Sequence, residues 1–339
     1  MDKAYNWLLL SSVKGIGEST LKLLLDKFHS SEGILSAKEE ELANVIGVRK
    51  ARLLRAKEGV SRKKIEDVLK VANREGIGII TPEDSSYPKE FFELPNPPPV
   101  IFFRGSLKHK ALVGVVGSRK PSDYTNRLVD EIVDVALKNG FGTVSGGAMG
   151  VDSRAHFRTI EKSGYTVCIL GFGILKATHS LFRKIEKSNG VLISEFLPEE
   201  PASRYTFPKR NRLIGALSRT LIVPEASSRS GALITAEWAF NLGREVYAHI
   251  GMGRSPRWAG CYRLIREGKA QIFAEPQDIF QDKEPQSSHE PLMDFMSSPR
   301  SLDEIAEFLK CSYGDALSLL GELEAQGKIV RMGAFYVAC

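Results

Sequence analysis

Short apolar runs alternate with longer amphipathic segments across the middle of the chain. The apolar runs lie at residues 111–117, 141–145, 165–170, 191–194, 220–223 and 245–250. The segments between them have helical periodicity, as at residues 125–138. Because short, continuously apolar runs are typical of strands buried on both faces, the pattern predicts a parallel sheet joined by right-handed crossover helices. The predicted fold class is α/β, with an extended Rossmann-like parallel sheet as its core.

Helical patterns dominate both ends of the chain. Residues 5–75 read as helices, while residues 301–337 read as helix, helix and hairpin, an order that resembles a winged helix. A proline-rich linker at residues 95–99 and a polar stretch at residues 281–290 divide the chain. We predict a helical domain over residues 1–80, a Rossmann-like domain over residues 81–280 and a winged-helix-like domain over residues 290–339.

A glycine-containing turn joins two predicted helices at residues 13–17, where the sequence reads Val-Lys-Gly-Ile-Gly. A degenerate copy follows at residues 45–48. The helix after this copy carries four cations, Arg49, Lys50, Arg52 and Arg55. Such a turn resembles the helix-hairpin-helix of SAM-like domains, in which backbone N–H groups at a helix N-terminus hold a DNA phosphate. The alternative is a helical bundle whose glycines only close turns.

Three loops rich in glycine or hydroxyl groups follow predicted strands. They occupy residues 117–119, 146–150 and 227–235. In parallel α/β sheets, ligands bind at the carboxyl ends of the strands, and backbone N–H groups at a helix N-terminus hold phosphate oxygens. The loops therefore favour a phosphate site that Arg119 also reaches. The alternative is that the glycines serve only close packing of helix against strand, and a Walker A motif is excluded because no Gly-Lys-Ser/Thr follows.

An aromatic ring stands beside a cluster of cations at residues 205–212. The segment reads Tyr-Thr-Phe-Pro-Lys-Arg-Asn-Arg, so Phe207 lies close to Lys209, Arg210 and Arg212. Single-stranded nucleic acids bind to such combinations, because the ring stacks on a base while the cations neutralise phosphates without reading sequence. The alternative is a capped, solvated helix start with surface arginines.

Charge and motif content narrow the possible functions. The formal net charge of +6 permits a polyanionic partner, although many basic proteins bind none. The sequence has no nucleophile elbow, no HExxH motif and no paired carboxylates at a recognisable spacing. Its four cysteines are scattered without a CxxC pair, which argues against zinc. We therefore expect binding rather than catalysis, with no metal and no cofactor.

The same composition indicates where the protein works. No apolar run approaches the roughly 18 residues that a membrane-spanning helix needs, and the apolar stretch near the N-terminus is too short for a signal peptide. We expect a cytoplasmic protein with reduced thiols and no membrane partner.

The second predicted helix of the C-terminal domain carries acids and no Lys or Arg. Its charged residues over residues 315–324 are Asp315, Glu322 and Glu324. In a winged helix this is the element that enters the DNA groove, where acids repel phosphates. We therefore expect a packing or protein-interaction module, without base-specific reading of DNA.

Several motifs, in order along the chain, carry a resemblance to a known family. They are Val-Gly-Ser-Arg at residues 116–119, Ser-Gly-Gly-Ala-Met-Gly-Val-Asp-Ser-Arg-Ala-His at 145–156, Phe-Pro-Lys-Arg-Asn-Arg-Leu-Ile at 207–214 and Ser-Gly-Ala-Leu-Ile-Thr-Ala at 230–236. Together they resemble the DNA-processing protein A family, DprA or Smf, over roughly residues 80–275. The resemblance implies an extended Rossmann-type domain that binds single-stranded DNA, loads the recombinase RecA during natural transformation and forms a homodimer through the same domain.

The resemblance also implies a set of nucleic-acid-binding residues. Phe207 corresponds to the base-contacting ring, and Arg204 stands where the family has a basic group or histidine before Phe-Pro. The complete set is Gly117, Ser118, Arg119, Gly146, Gly147, Arg204, Phe207, Lys209, Arg210, Asn211, Ser230 and Gly231. No catalytic residue is implied.

Three departures from the family pattern leave these loops intact. The segment after Gly171 lacks the usual Gly-x-Asp with Tyr-Pro. The chain reads His249-Ile250-Gly251 where the family has Pro-Gly after the strand, and Tyr262 stands where asparagine is usual. The changes fall on the rim of the predicted pocket and on the dimer surface.

Two other functions remain open at this point. A nucleotide-binding hydrolase of the cytokinin-activating LOG type uses the same Rossmann variant, but its Pro-Gly-Gly-x-Gly-Thr-x-x-Glu loop is missing from this sequence. A partner-binding scaffold without a ligand would leave the cluster at residues 207–212 unexplained.

Overall fold

The computed structural model describes the chain in two compact units, Met1–Phe280 and Gln281–Cys339. Its described residues are 3–251, 255–280, 292–293, 295–296, 298–309, 311–325 and 327–338. The predicted divider at residues 281–290 lies outside them. No helix within these ranges is long and apolar enough to cross a membrane.

Between residues 3 and 74, six helices form the N-terminal part of the first unit. They are α1 (Lys3–Ser12), α2 (Glu18–Phe28), α3 (Ser31–Ser36), α4 (Glu39–Ile46), α5 (Val48–Ala56) and α6 (Arg62–Arg74). The two predicted glycine turns join α1 to α2 and α4 to α5. Gly15 and Gly47 lie in these turns with φ of 86° and 81°, a region that favours glycine. The predicted helical domain with two hairpin-like turns is therefore confirmed.

The two turns differ in what their backbone groups contact. Val13 and Ile16 of the first turn are buried, and the N–H of Lys14 donates to the carbonyl of Glu58 at 2.9 Å. In the second turn Gly47 has no neighbour within 4 Å of a built Cβ, and Val48 is exposed. In the first turn Val13 and Ile16 therefore anchor in the core while Lys14, Gly15 and Gly17 stay exposed, and in the second turn Val48 is exposed.

A nine-stranded sheet follows, counted over the described residues. Its strands are β1 (Gly78–Ile80), β2 (Ile101–Gly105), β3 (Leu112–Val115), β4 (Gly142–Ser145), β5 (Thr166–Ile169), β6 (Gly190–Ser194), β7 (Ser218–Val223), β8 (Glu245–His249) and β9 (Gln271–Phe273). The spatial order is β1-β2-β6-β5-β4-β3-β7-β8-β9. All neighbours from β6 to β9 pair in parallel, while β1 and β2 form an antiparallel edge. The predicted parallel α/β core is confirmed.

Helices cover both faces of the sheet, which explains its continuously apolar strands. They are α7 (Asp123–Lys138), α8 (Val151–Glu161), α9 (Ser180–Lys187), α10 (Thr206–Leu217), α11 (Ala232–Asn241) and α12 (Ala259–Arg266). For example, Val129 and Ile132 of α7 are buried in the same cluster as Val113 and Val115 of β3. Every residue of β4, β5 and β6 is buried, as expected for strands with two covered faces.

The N-terminal helices share a core with the sheet. Trp7 and Leu10 of α1 and Leu24 of α2 are buried in one cluster with Phe102 of β2 and Leu192 of β6. The strand β1, at the expected boundary near residue 80, is itself the edge of the sheet. The helical and Rossmann-like parts therefore form one compact unit.

Between residues 298 and 338, the described part of the C-terminal unit has two helices and a small antiparallel sheet. These elements are β10 (Arg300–Ser301), α13 (Leu302–Leu309), α14 (Tyr313–Ala325), β11 (Ile329–Met332) and β12 (Phe335–Ala338), with strand order β10-β12-β11. Ile305, Leu320, Leu323 and Ile329 form its core. This is the helix, helix and hairpin order that the sequence predicted.

A buried ion network joins the helical part to the sheet. The Arg212 Nη2 atom of α10 lies 2.6 Å from Glu195 Oε2 and 3.1 Å from Glu18 Oε2, at the start of α2. Lys209 Nζ lies 2.6 Å from Glu18 Oε1 and 3.3 Å from Glu195 Oε2. Burial raises the pKa of Glu195, and Arg212 opposes that shift. The network thus fixes α10 between the sheet and α2.

Replacing Arg212 by methionine should destabilise the protein strongly, because Glu195 would stay buried without its main partner. We expect a loss of about 3–5 kcal/mol in the free energy of unfolding, measured by urea denaturation. The matched control is Arg52→Met, because Arg52 pairs with Glu39 on the surface. That change should cost less than about 1 kcal/mol. Equal losses in the two variants would contradict the role of the network.

Candidate functional site

The three predicted loops meet at the reversal point of the strand order. Strand β3 has β4 on one side and β7 on the other, so β3 to β6 follow one another towards one edge of the sheet and β7 to β9 towards the other. A crevice forms at the carboxyl ends of such strands, which is where doubly wound sheets bind ligands. The crevice here is a cavity of about 590 Å³. The loops after β3, β4 and β7 and the start of α10 form its walls.

Eleven of the twelve predicted site residues line this cavity. They are Gly117, Ser118, Arg119, Gly146, Gly147, Arg204, Phe207, Arg210, Asn211, Ser230 and Gly231. The exception is Lys209, which lines a groove on the other side of α10. Sequence reasoning thus found the walls of one cavity from motifs more than 100 residues apart in the chain.

Glycines let the first two loops touch. Gly150, which precedes α8, has φ of 90°, and a Cβ built on it would lie 2.3 Å from the carbonyl oxygen of Ser118 and 2.7 Å from the carbonyl carbon of Arg119. The N–H of Val151 also donates to the Ser118 carbonyl at 3.1 Å. The loop that carries Arg119 therefore rests directly on the N-terminus of α8, and only glycine fits at position 150.

Two buried side chains of opposite charge hold the second loop. The carboxylate of Asp152 accepts from the N–H of Gly146 at 3.1 Å, and the guanidinium of Arg210 donates to the Gly146 carbonyl at 2.7 Å and to the carbonyl of Ile169. Burial raises the pKa of Asp152, while Arg210 opposes that shift. Asp152 and Arg210 therefore act on the backbone of the loop and set its shape.

A buried histidine lies behind the same loop. The ring of His156 is fully buried, its Nδ1 lies 2.7 Å from Thr166 Oγ1, and burial lowers its pKa to about 3. The imidazole is therefore neutral near pH 7, and it packs against the sheet instead of adding positive charge to the cavity.

A carboxylate under the third loop is held by hydrogen bonds. Glu225 follows β7 and accepts from the N–H of Ser122 at 3.0 Å and from Thr125 Oγ1 at 2.7 Å. Burial opposes ionisation of Glu225, but these hydrogen bonds lower its pKa. The ionised carboxylate ties the start of α7 to the end of β7, and it does not line the cavity.

The cations near the cavity fall into two groups. Arg119, Arg204 and Arg229 are exposed and line it. Neither Arg119 nor Arg229 forms an ion pair with another residue in the described ranges. Arg229 was missed as a site residue, although the sequence places it between two serines of the third loop.

The second group contains Lys209, Arg210 and Arg212, and for these cations the expectation from the sequence was wrong. The cations of residues 209–212 were expected to neutralise phosphates, but each has internal partners. Arg210 and Arg212 are buried, the first against backbone carbonyls and the second against Glu195, while Lys209 pairs with Glu18. The physical reason is that α10 lies between the sheet and α2, so Arg210 and Arg212 point into packed surroundings, while the partly exposed Lys209 pairs with Glu18 and Glu195.

Phe207 lies where the sequence predicted a stacking ring. It is half-buried, lines the cavity and meets Phe172 edge-on, with ring centroids 6.4 Å apart. A Cβ on Gly171 would lie only 2.7 Å from Phe207 Cδ1, so the glycine makes room for the ring at the end of β5. The cavity therefore combines backbone N–H groups, exposed arginines and a supported aromatic ring, which suits a ligand with phosphates and bases. No group of three or more His, Cys, Asp or Glu that could hold a metal lies within the described residues.

Comparison with known families gives two matches along the chain. A family model described as DNA recombination-mediator protein A matches residues 78–284. A second, described as a SAM-like helix-hairpin-helix tandem, matches residues 8–74. Together they cover the helical and Rossmann-like parts of the first unit.

Similar proteins and structures belong to the same group. Protein Smf of Synechocystis sp. is 33% identical over 298 residues, which is 81% of this chain and 71% of that protein. The X-ray structure of DNA processing protein A from Streptococcus pneumoniae has a TM-score of 0.70 at 26% identity and covers 83% of this chain and 98% of that chain. A structure of the Helicobacter pylori protein, described as having a unique single-stranded DNA binding mode, has a TM-score of 0.54 at 26% identity and covers 60% of this chain and 94% of that chain.

The contact between the first two loops gives a stability prediction. Gly150→Ala should cost about 1–3 kcal/mol more than Gly140→Ala in the free energy of unfolding, because its Cβ meets the backbone of the first loop. Gly140 is the matched control: its φ is 81°, yet no atom lies within 4 Å of its Cβ position. Denaturant titration of both variants measures the difference. Similar losses would mean that the loops do not pack as described.

Proposed function

The chain belongs to the DNA recombination-mediator protein A family, and from that membership we propose that it binds single-stranded DNA and delivers it to a recombinase. In this proposal the protein is a cytoplasmic binding protein without enzymatic activity. It protects incoming DNA and loads RecA during natural transformation or recombination. The observation that carries the proposal is the convergence of three loops, exposed arginines and Phe207 on one cavity.

The electrostatics of the cavity support binding without sequence preference. Arg119, Arg204 and Arg229 are exposed at its wall, and the N-terminus of α8 adds the positive end of a helix dipole beside Gly146 and Gly147. These groups interact with phosphates, which are the same in every sequence. Phe207 offers a π-face to any base. Single-stranded DNA is favoured over duplex DNA, because the bases of a duplex are paired and stacked on one another, and only an unpaired base is free to stack on the Phe207 ring.

A homodimer through the Rossmann-like domain belongs to the same proposal. Support comes from the β8–β9 end of the sheet, where Ile250, Tyr262 and Ile272 are exposed and β9 is the edge strand. Exposed apolar side chains at a sheet edge are typical of association surfaces. RecA as the receiving partner rests on the family alone.

Arg119→Ala should weaken binding to single-stranded DNA by a similar factor for every sequence, because a phosphate contact carries no base information. Losing one contact should reduce the magnitude of the log–log salt slope by about 0.7. Fluorescence anisotropy with oligo-dT and a mixed-sequence oligonucleotide, each at several salt concentrations, measures both quantities.

The matched control is Lys120→Ala, which removes a neighbouring exposed cation that does not line the cavity. It should leave the slope closer to the wild-type value. An unchanged affinity and slope for Arg119→Ala would put the phosphate site elsewhere. Turnover of nucleoside monophosphates by the wild-type protein would instead favour the hydrolase alternative.

A further inference from the structure

Two side chains beside the cavity are unusually exposed for their type. Met149 and Tyr205 are 73% and 69% exposed, the largest values for big apolar side chains in the described ranges. Each directly follows a residue that lines the cavity, Ala148 in one case and Arg204 in the other. Single exposed apolar residues are common on protein surfaces, but here the two most exposed ones, Met149 and Tyr205, both adjoin the loop cavity. Tyr205 carries further features that point to a ligand.

The backbone that presents Tyr205 is fixed by a ring of hydrogen bonds. Ser203 Oγ accepts from the N–H groups of Tyr205 at 3.2 Å and Thr206 at 3.3 Å. The N–H of Ser203 in turn donates to Thr206 Oγ1 at 3.0 Å. The turn that starts α10 is therefore pre-organised, so a ligand that contacts the ring does not have to order it.

One face of the Tyr205 ring is already occupied. The guanidinium carbon of Arg204 lies 4.7 Å from the ring centroid, and Arg204 Nη2 donates to the Tyr205 hydroxyl. With the ring still 69% exposed, its other face is open to solvent. A base stacked there would complete a sandwich of base, phenol and guanidinium, and the positive charge would lie near the adjoining phosphate.

Tyr205 and Phe207 face different cavities. Residues two apart at a helix start point in different directions, so Phe207 lines the loop cavity while Tyr205 lines a groove of about 890 Å³. Apolar side chains of α1 and α2, including Leu8 and Leu21, form one wall of this groove. The carboxylates of Glu18 and Glu195 also line it, which disfavours a phosphate there. The groove therefore suits a base whose phosphate stays on the arginine side.

We propose that Tyr205 is the stacking platform of a second nucleotide subsite. A DNA strand reaches this subsite from the loop cavity by passing over Arg204, in the turn before α10. One base stacks on Phe207 in the loop cavity, and a neighbouring base of the same strand stacks on Tyr205 in the groove beside α1 and α2. This inference rests on the proposed function, because it assumes that single-stranded DNA occupies the loop cavity.

The test compares variants of the full-length protein on oligo-dT of increasing length. Tyr205→Ala should weaken binding of long oligonucleotides by about 5- to 100-fold, the range for loss of one stacked base. It should have little effect on oligonucleotides too short to occupy both subsites. Tyr205→Phe keeps the ring and should bind like the wild-type protein, and Phe207→Ala should weaken binding at every length.

A matched control is Tyr313→Ala, which removes an exposed ring from the other compact unit and should not change affinity. In oligonucleotides that carry 2-aminopurine at one position, we expect one labelled position whose fluorescence is quenched by the wild-type protein and by the other variants but not by Tyr205→Ala.

Normal binding by Tyr205→Ala, with weak binding by Phe207→Ala, would overturn the second subsite and leave the proposed function standing. An equal loss at all lengths in Tyr205→Ala would also overturn it, because the residue would then only position α10. No binding by the wild-type protein would overturn both.

Discussion

Buried charge along α10 determines how this helix lies against the sheet and against α2. Arg212 and Glu195 are removed from water, and within the described residues Arg212 Nε and Nη1 and Glu195 Oε1 have no hydrogen-bond partner. Such an arrangement adds little net stability, yet it is costly to break from one side. The buried ion network holds α10 in one orientation relative to the sheet and to Glu18 of α2. Phe207 and Arg204 are thereby presented to the cavity, while Arg210 shapes the second loop from below.

This constraint separates structural cations from available ones. All four side chains, of Arg119, Arg229, Arg210 and Arg212, carry the same guanidinium group. Arg210, however, donates to backbone carbonyls inside the protein, and Arg212 pairs with the buried Glu195. Arg119 stands on a loop that rests on the N-terminus of α8, where the backbone provides further positive potential, and Arg229 lies just before α11. A polyanion at the cavity would therefore meet arginine charge that no carboxylate neutralises within the described residues. Contacts of this type supply affinity without sequence specificity.

Much of the fold followed from local pattern, and the exceptions have physical reasons. Strands β3 to β8 were predictable because covering a parallel sheet on both faces leaves continuous apolar runs. The three-residue strands β1 and β9 and the antiparallel β2 carry no comparable signal. The loops of the site were predictable because glycines and hydroxyls follow strand ends. The burial of Arg212 was not predictable, because it needs α2 packed over α10, and Glu18 of α2, one of the two partners of Arg212, is 194 residues away.

Binding of single-stranded DNA to one cavity, through phosphates and a stacked base, is the core of the proposed function. Salt-titrated binding of the full-length protein to an oligonucleotide and to its duplex tests it. We expect tighter binding of the single strand at each salt concentration, with log affinity falling linearly with log salt. The preference for the single strand should shrink when Phe207 is replaced by alanine. Equal or tighter binding of the duplex, or affinity independent of salt, would contradict the proposed function.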